Sequence, residues 1–198
     1  GPWYVSNDGN DSAGSGSESD PFQSIQYAID NSSDGDVINV TSGTYFENIN
    51  FNGKNVTVNG EDRELTIING GGDTAVSFFS GEGRSTQINN FTITGGGGDY
   101  GGGVWCDNSS SPTIFNCAII GNSVTYDGGG INLNNQSSPL IKRCLIANNN
   151  SGGGAGIYIH SESYPEIVNS TIADNNASGQ EGGAFWIAEG SSAIIVNS

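Results

Sequence analysis

The chain has 198 residues, 32 of them glycine, with 34% hydrophobic and only 13% charged residues. That is enough for one domain or a piece of a longer array, with a thin core shared between stacked units. A formal net charge of −16 against five Lys plus Arg excludes nucleic acid and anionic membrane surfaces as partners, because both are bound through basic patches. It suits a soluble extracellular protein, a divalent-cation binder or a binder of neutral glycans. No apolar run reaches the roughly 18 residues of a membrane span.

Gly1-Pro2 reads as the remnant of tag removal. Trp3 to Val5 reads as a short strand. Ser6 to Asp20 is a polar loop carrying Asp8, Asp11, Glu18 and Asp20. Carboxylates are suitable Ca²⁺ ligands, but the spacing does not match an EF-hand, and a surface loop is the plainer reading. Asp20-Pro21-Phe22-Gln23 is a compact helix-start signal, with Asp20 as N-cap, Pro21 at the first helical position and Gln23 reaching back. Phe22, Ile25, Ala28 and Ile29 then fall at helical spacing. This predicts a helix ending near Asn31, placed to cover the open end of a stack of coils.

Residues 1–35 thus form a terminal segment, and residues 36–198 read as coils. From Asp36 the period becomes strand-like. Val37–Val40, Ile49–Phe51, Val56–Val58, Leu65–Ile68 and Ala75–Phe78 are short, rich in β-branched residues and separated by turn residues. Gly43-Thr44-Tyr45 is read as a turn. A repeat then begins at Ile88 and restarts at Ile114, Ile141, Ile167 and Ile195, with spacings of 26, 27, 26 and 28 residues. Ser198 falls four residues into the last unit, which is read as a truncated coil.

Each unit offers three short strands that cannot bury their apolar residues alone. Stacked in parallel, equivalent residues lie about 4.8 Å apart. Alternation puts Ile88, Ile114, Ile141 and Ile167 in one inward column, and Ile93, Ile119, Ile146 and Ile172 in a second. The glycine-led strand supplies two more, Val104/Ile131/Ile157/Phe185 and Cys106/Leu133/Ile159/Ile187. Asn90, Asn116, Asn169 and Asn197 share one turn position, where Asn tolerates left-handed backbone and forms ladders. Arg143 interrupts that column and is expected to point to solvent. Asn122, Asn149 and Asn175 mark a second turn. Cys117 and Cys144 share a core position, where parallel side chains suit buried thiols better than a disulfide. Three cysteines without paired spacing make neither a disulfide framework nor a metal site.

The opening run, Tyr4-Val5-Ser6, Gly9, Asp11, Pro21-Phe22, Ile25, Ala28-Ile29, Gly35-Asp36, Gly43-Thr44-Tyr45 and Glu47-Asn48, resembles the first coil of secreted right-handed parallel β-helix proteins of the pectate-lyase-like type. The later units, with Asn175-Asn176-Ala177 and Gly182-Gly183-Ala184-Phe185, also resemble the polymorphic outer-membrane-protein repeats of bacterial surface proteins. The resemblance implies an all-β, single-stranded right-handed β-solenoid with a short N-terminal capping helix. The fold hosts lyases, hydrolases, adhesins and spacers, so it does not select a function.

The outward side of the glycine-led strand is where chemistry is expected. One row reads Trp105, Asn132, Tyr158, Trp186, and the next Asp107, Asn134, His160, Ala188. In proteins resembling this one, the comparable face is often a saccharide groove. Aromatic rings stack on sugar rings there, and polar neighbours bond hydroxyls. A third row, Asp99, Asp127 and Glu181, precedes the glycine runs and is the candidate Ca²⁺ site, with solvated loop acids as the plainer reading. Catalysis finds less support. No basic residue projects from the aromatic strand, no facing carboxylate pair for glycoside hydrolysis is recognisable, and His160 is the only histidine.

The sequence therefore points to a secreted or bacterial cell-surface module that binds a polysaccharide or cell-surface glycan without catalysis, with Ca²⁺ as the candidate cofactor. Two alternatives stand beside it: the N-terminal part of a polysaccharide lyase or glycoside hydrolase, and a structural stalk with no ligand. The open last coil is free to pair end to end with another chain.

Overall fold

The computed structural model describes residues 1–179 and 182–198. The chain winds as a parallel β-solenoid whose three faces are three sheets. The first sheet orders Trp3–Val5, Val37–Val40, Thr57–Gly60, Gln87–Asn89, Thr113–Phe115, Leu140–Lys142, Glu166–Val168 and Ile194–Val196. The second runs Gly43–Phe46, Thr66–Asn69, Thr92–Thr94, Ala118–Ile120, Leu145–Ala147 and Thr171–Ala173. The third runs Ile49–Asn50, Val76–Phe78, Val104–Cys106, Ile131–Leu133, Ile157–Ile159 and Phe185–Ile187. Gly43–Phe46 is thus a strand of the second sheet, where the sequence suggested a turn.

The four predicted columns form the buried core as far as Ile146, Ile157, Ile159 and Ile167, whereas in the last coil Ile172 and Phe185 are half-buried and Ile187 and Ile195 are exposed. Ile88 pairs with Ile114, Ile114 with Ile141, Ile141 with Ile167 and Ile167 with Ile195. Val104, Ile131, Ile157 and Phe185 are likewise in register, as are Cys106, Leu133, Ile159 and Ile187. Ile93, Ile119, Ile146 and Ile172 complete the set. Adjacent coils share one apolar interior, and no coil could bury its isoleucines alone.

The glycines ahead of the third sheet are required by proximity. A Cβ on Gly103, Gly130 or Gly156 would lie 2.5 Å from the carbonyl oxygen of Gly130, Gly156 or Ala184. The backbones of successive coils therefore approach too closely there for any side chain.

Both turn predictions are met. Asn90, Asn116, Arg143, Asn169 and Asn197 have φ between +50° and +62°, so Arg143 accepts the strained conformation the column demands. Asn116 Nδ2 donates to Asn90 Oδ1 at 2.9 Å. Arg143 is exposed and lays its guanidinium 5.7 Å from the centroid of the Phe115 ring. The second column is a buried ladder: Asn122 Nδ2 donates to Asn149 Oδ1 at 2.9 Å, and Asn149 Nδ2 to Asn175 Oδ1 at 3.0 Å. Each amide also reaches the preceding coil, Asn149 bonding Ile119 O and Asn175 bonding Ile146 O.

The helix spans Ile25–Asn31 and starts later than predicted. Asp20 is not its cap; its carboxylate accepts from Ser15 N instead. Carboxylates distant in sequence do the capping. Asp11 accepts from Gln23 N, Ser24 N and Ser24 Oγ, and Glu47 accepts from Ile25 N and Gln26 N. Both place negative charge at the positive end of the helix. Burial raises the Glu47 carboxyl above its usual range, and the two amides work against that shift. At the other end Lys54 Nζ donates to the carbonyls of Ile29, Asp30 and Ser32. The helix is thus fastened at both ends by side chains from outside it, and Phe22, predicted as helical, packs ahead of it against Trp3.

Cys106, Cys117 and Cys144 are buried free thiols. Burial pushes Cys144 up to about 11, and Cys106 and Cys117 further in the same direction.

Candidate functional site

The outer face of the third sheet is built by period-two alternation. Trp105 pairs in register with Asn132, Asn132 with Tyr158 and Tyr158 with Trp186. The four predicted residues therefore form one column, but they do not share one environment. Asn132 is fully buried, with Nδ2 3.3 Å from Asp127 O. Trp105 is half-buried and meets Phe79 edge-on at 5.2 Å between ring centroids. Its indole N–H and Asn132 Oδ1 are buried without a hydrogen-bond partner among the described residues. The continuous exposed aromatic row expected from the sequence is therefore interrupted. Trp105 leans on Phe79 of the preceding coil and on Tyr100, and Asn132 is buried.

A groove of about 580 Å³ takes the place of that row, lined by Tyr100, Tyr126, Asp127, Gly152, Tyr158, Gly179 and Trp186. Tyr100 and Tyr126 are exposed and stand 5.3 Å apart between ring centroids. Tyr100 also leans on Trp105 at 6.3 Å. The loops ahead of the glycine runs thus add two aromatic rings to the two from the sheet. These tyrosines escaped the sequence reading because that reading followed the strand period, whereas they sit in loops of unequal length. One signal was available: each adjoins an acid just ahead of a glycine run, as Asp99-Tyr100-Gly101 and Tyr126-Asp127-Gly128.

The order of those two pairs is reversed, and this corrects the proposed acidic row. Tyr100, not Asp99, is the bridge partner of Asp127, and Asp99 O instead accepts from Tyr126 N. Asp99 is exposed and out of register with Asp127. Glu181 lies outside the described residues. Among the described residues no three His, Cys, Asp or Glu side chains converge as metal ligands would. In the N-terminal loop, the Asp11 and Asp20 carboxylates are occupied by backbone amides.

Among the described residues, Asp127 is the acid that lines the groove. Burial raises its carboxyl above the usual range, and the nearby His160 pulls it back down. His160 stacks on Tyr158, with 5.5 Å between centroids and 15° between planes. Its Nδ1 lies 2.7 Å from Ser161 Oγ, and its Nε2 lies 3.4 Å from Glu189 Oε2. Glu189 is a further residue the sequence reading missed. Ser, His and Glu side chains in a chain of contacts suggest nucleophilic catalysis, but here the serine adjoins the histidine in sequence. The next amide, Glu162 N, is already bonded to Glu189 O, so it does not serve an oxyanion. The trio reads as a polar edge to the sheet.

Asp107 is held in place: its Oδ1 accepts from Asn108 N and Asn135 Nδ2, both at 2.6 Å. Asn134 is half-buried at the start of the following turn. Beyond it lies a second, wholly polar groove of about 550 Å³, lined by Asn108, Ser109, Asn135, Gln136, Ser161, Glu162 and Glu189. The sheet face is thus flanked by an aromatic groove ahead of its strands and a polar one after them.

A stack of parallel coils with a sheet on each of three faces and a ring-lined groove on one of them defines a parallel β-helix. The family described as right-handed β-helix region matches residues 28–198, and the chain belongs to it. That assignment makes the solenoid right-handed, as expected of parallel crossovers. Among solved structures, a pectin methylesterase from carrot is similar at 17% identity with a TM-score of 0.50, covering 86% of this chain. The chain spans 64% of that enzyme's length. A pectin methylesterase in complex with a hexasaccharide is similar at 11% identity, over 97% of this chain and 80% of that one, with a TM-score of 0.48. For a rhamnogalacturonan lyase the corresponding values are 12%, 98%, 62% and 0.30. At such identities the likeness to the carrot enzyme is one of fold. No curated protein matches the chain.

Proposed function

We propose that the chain is a non-catalytic carbohydrate-binding module of a secreted or cell-surface protein, holding a glycan in the groove between Tyr100, Tyr126, Tyr158 and Trp186. One observation carries this reading: four aromatic rings around a groove of about 580 Å³ whose remaining lining, among the described residues, is one carboxylate and two glycines. A pyranose ring offers C–H faces for such rings to stack on and hydroxyls for the edges. Ring walls with few, placed polar groups are the usual composition of a ligand site. The glycines leave room for a chain to pass across adjacent coils. Adhesion through a glycan follows if the module is displayed at a surface.

The test is calorimetric titration of a panel of oligosaccharides into wild type, Tyr126→Ala, Trp186→Ala and the variant carrying both. Each single substitution is expected to weaken binding roughly tenfold, the equivalent of about 1.4 kcal/mol. Unchanged affinity in the double variant removes the groove from the argument. Release of product from a pectic polysaccharide by this chain overturns the non-catalytic reading.

A further inference from the structure

The groove has a charge character that ring stacking on sugars does not require. Asp127 lines the groove together with four aromatic rings and is the one charged residue of the lining among the described residues. Its backbone carbonyl is used by Gly101 N and Asn132 Nδ2. Its carboxylate makes no hydrogen bond or ion pair with any described residue. All five basic side chains of the chain lie elsewhere. Lys54 closes the helix end. Arg63 pairs with Glu64 and Arg84 with Glu166. Lys142 and Arg143 belong to the first sheet and its following turn. A polyuronate entering the groove would meet the Asp127 carboxylate and a chain of net charge −16, with no Lys or Arg to receive it and only His160, stacked behind Tyr158, as a nearby titratable base.

The opposite sign of ligand meets a complementary site. Aromatic faces attract ammonium groups, and cages of several rings recognise them. A half-buried carboxylate beside such a cage gains an ion pair when the cation arrives, and the partly desolvated setting strengthens it. We infer that the ligand of this groove is an amino-sugar polymer carrying free amines, with one ammonium seated between the Asp127 carboxylate and the rings of Tyr100, Tyr126, Tyr158 and Trp186. This rests on the glycan reading and specifies its substrate class. It also separates this chain from the pectin-directed proteins whose fold it shares.

The experiment compares three oligosaccharides by calorimetry against the full chain: a glucosamine oligomer with protonated amines, its N-acetylated counterpart and an oligogalacturonate. The glucosamine oligomer should bind at least tenfold more tightly than the N-acetylated one, and that margin should shrink as salt rises. The oligogalacturonate should give no heat. Asp127→Asn keeps the side chain's shape, so an unchanged urea midpoint shows that it folds, and it should erase the difference between the first two ligands. Equal affinity for both in wild type, or a preference for the galacturonate, removes the amine inference and leaves the glycan reading standing. Binding of none of the three overturns both.

Discussion

The Asn122–Asn149–Asn175 ladder and the aromatic groove belong to the same coils, yet they obey opposite rules. In the ladder, each coil supplies the same residue, and each amide bonds the amide of the next coil and a carbonyl of the previous one. A different residue in one coil would leave buried partners unpaired in two others. On the third sheet the same repeat supplies Trp105, Asn132, Tyr158 and Trp186 in one column. There each side chain meets loops or solvent, so each coil is free to differ. Uniformity within a column marks what holds the solenoid together, and variation marks where it can meet something else.

The largest expected effect comes from breaking the uniform column. Asn149→Ala deprives Ile119 O of its donor and Asn122 N and Nδ2 of their acceptor. Unpaired buried groups cost about 1–3 kcal/mol each, so a loss of about 4 kcal/mol is expected in urea unfolding. A loss below about 1 kcal/mol would show that water replaces the amide and that the ladder is not structural. Trp105→Ala comes next and divides the varied column itself. Because Trp105 packs on Phe79 and Tyr100, its removal should cost about 2 kcal/mol of stability. Glycan affinity should change by less than about threefold, the reverse of Trp186→Ala. If Trp105→Ala abolishes binding at unchanged stability, the column acts as one continuous platform.

Much of the architecture was legible because a period is visible in one sequence. The spacing from Ile88 to Ile195 specified the stacking, and alternation sorted inward from outward residues. Helix capping was legible in residue type but not in source. Asp20 is adjacent in sequence, whereas Asp11 and Glu47 reach the helix only after the chain has folded back. The groove was half legible. Tyr158 and Trp186 follow the period, but Tyr100 and Tyr126 lie in loops whose register is set by bridges such as Tyr100 to Asp127. The burial of Asn132 was illegible for the same reason, since what covers an outward residue comes from loops and not from its strand.

A smaller effect is expected from the thiols of the interior. Burial holds Cys144 at about 11, above the ordinary value of 9.0. A raised pKa means that the folded chain favours the neutral thiol. Relative to the unfolded chain, the folded state is therefore unaffected by this group below pH 9 and loses none of its neutral form until pH approaches 11, while the unfolded thiol ionises from pH 9 upward and draws stability away. Cys144→Ala should reduce the fall in stability between about pH 8 and about pH 10 by about 1 kcal/mol, measured from urea midpoints. Equal falls in both proteins would mean that the site is hydrated. In the native state none of the three thiols should react with an aromatic disulfide reagent, and all three should react in urea.

The smallest effect tests whether a residue outside the repeat can still be structural. Asp36 opens the first full coil, and its Oδ2 accepts from Ser33 N and from the Trp3 indole, both at 2.9 Å. The Ser33 amide first, then the Trp3 indole, holds its carboxyl below the ordinary 3.8. A depressed carboxyl contributes stability that is complete above that ordinary value and disappears as pH falls through the folded one. Wild type should therefore lose more stability than Asp36→Asn between about pH 5 and the acid side of pH 3.8. Trp3 fluorescence should shift with the same midpoint, reporting release of the indole from the carboxylate. If the two proteins lose stability equally, the Asp36 carboxylate adds nothing, and the N-terminal strand is held by its pairing from Trp3 to Ile38 and Val5 to Val40 and by its contacts with Phe22.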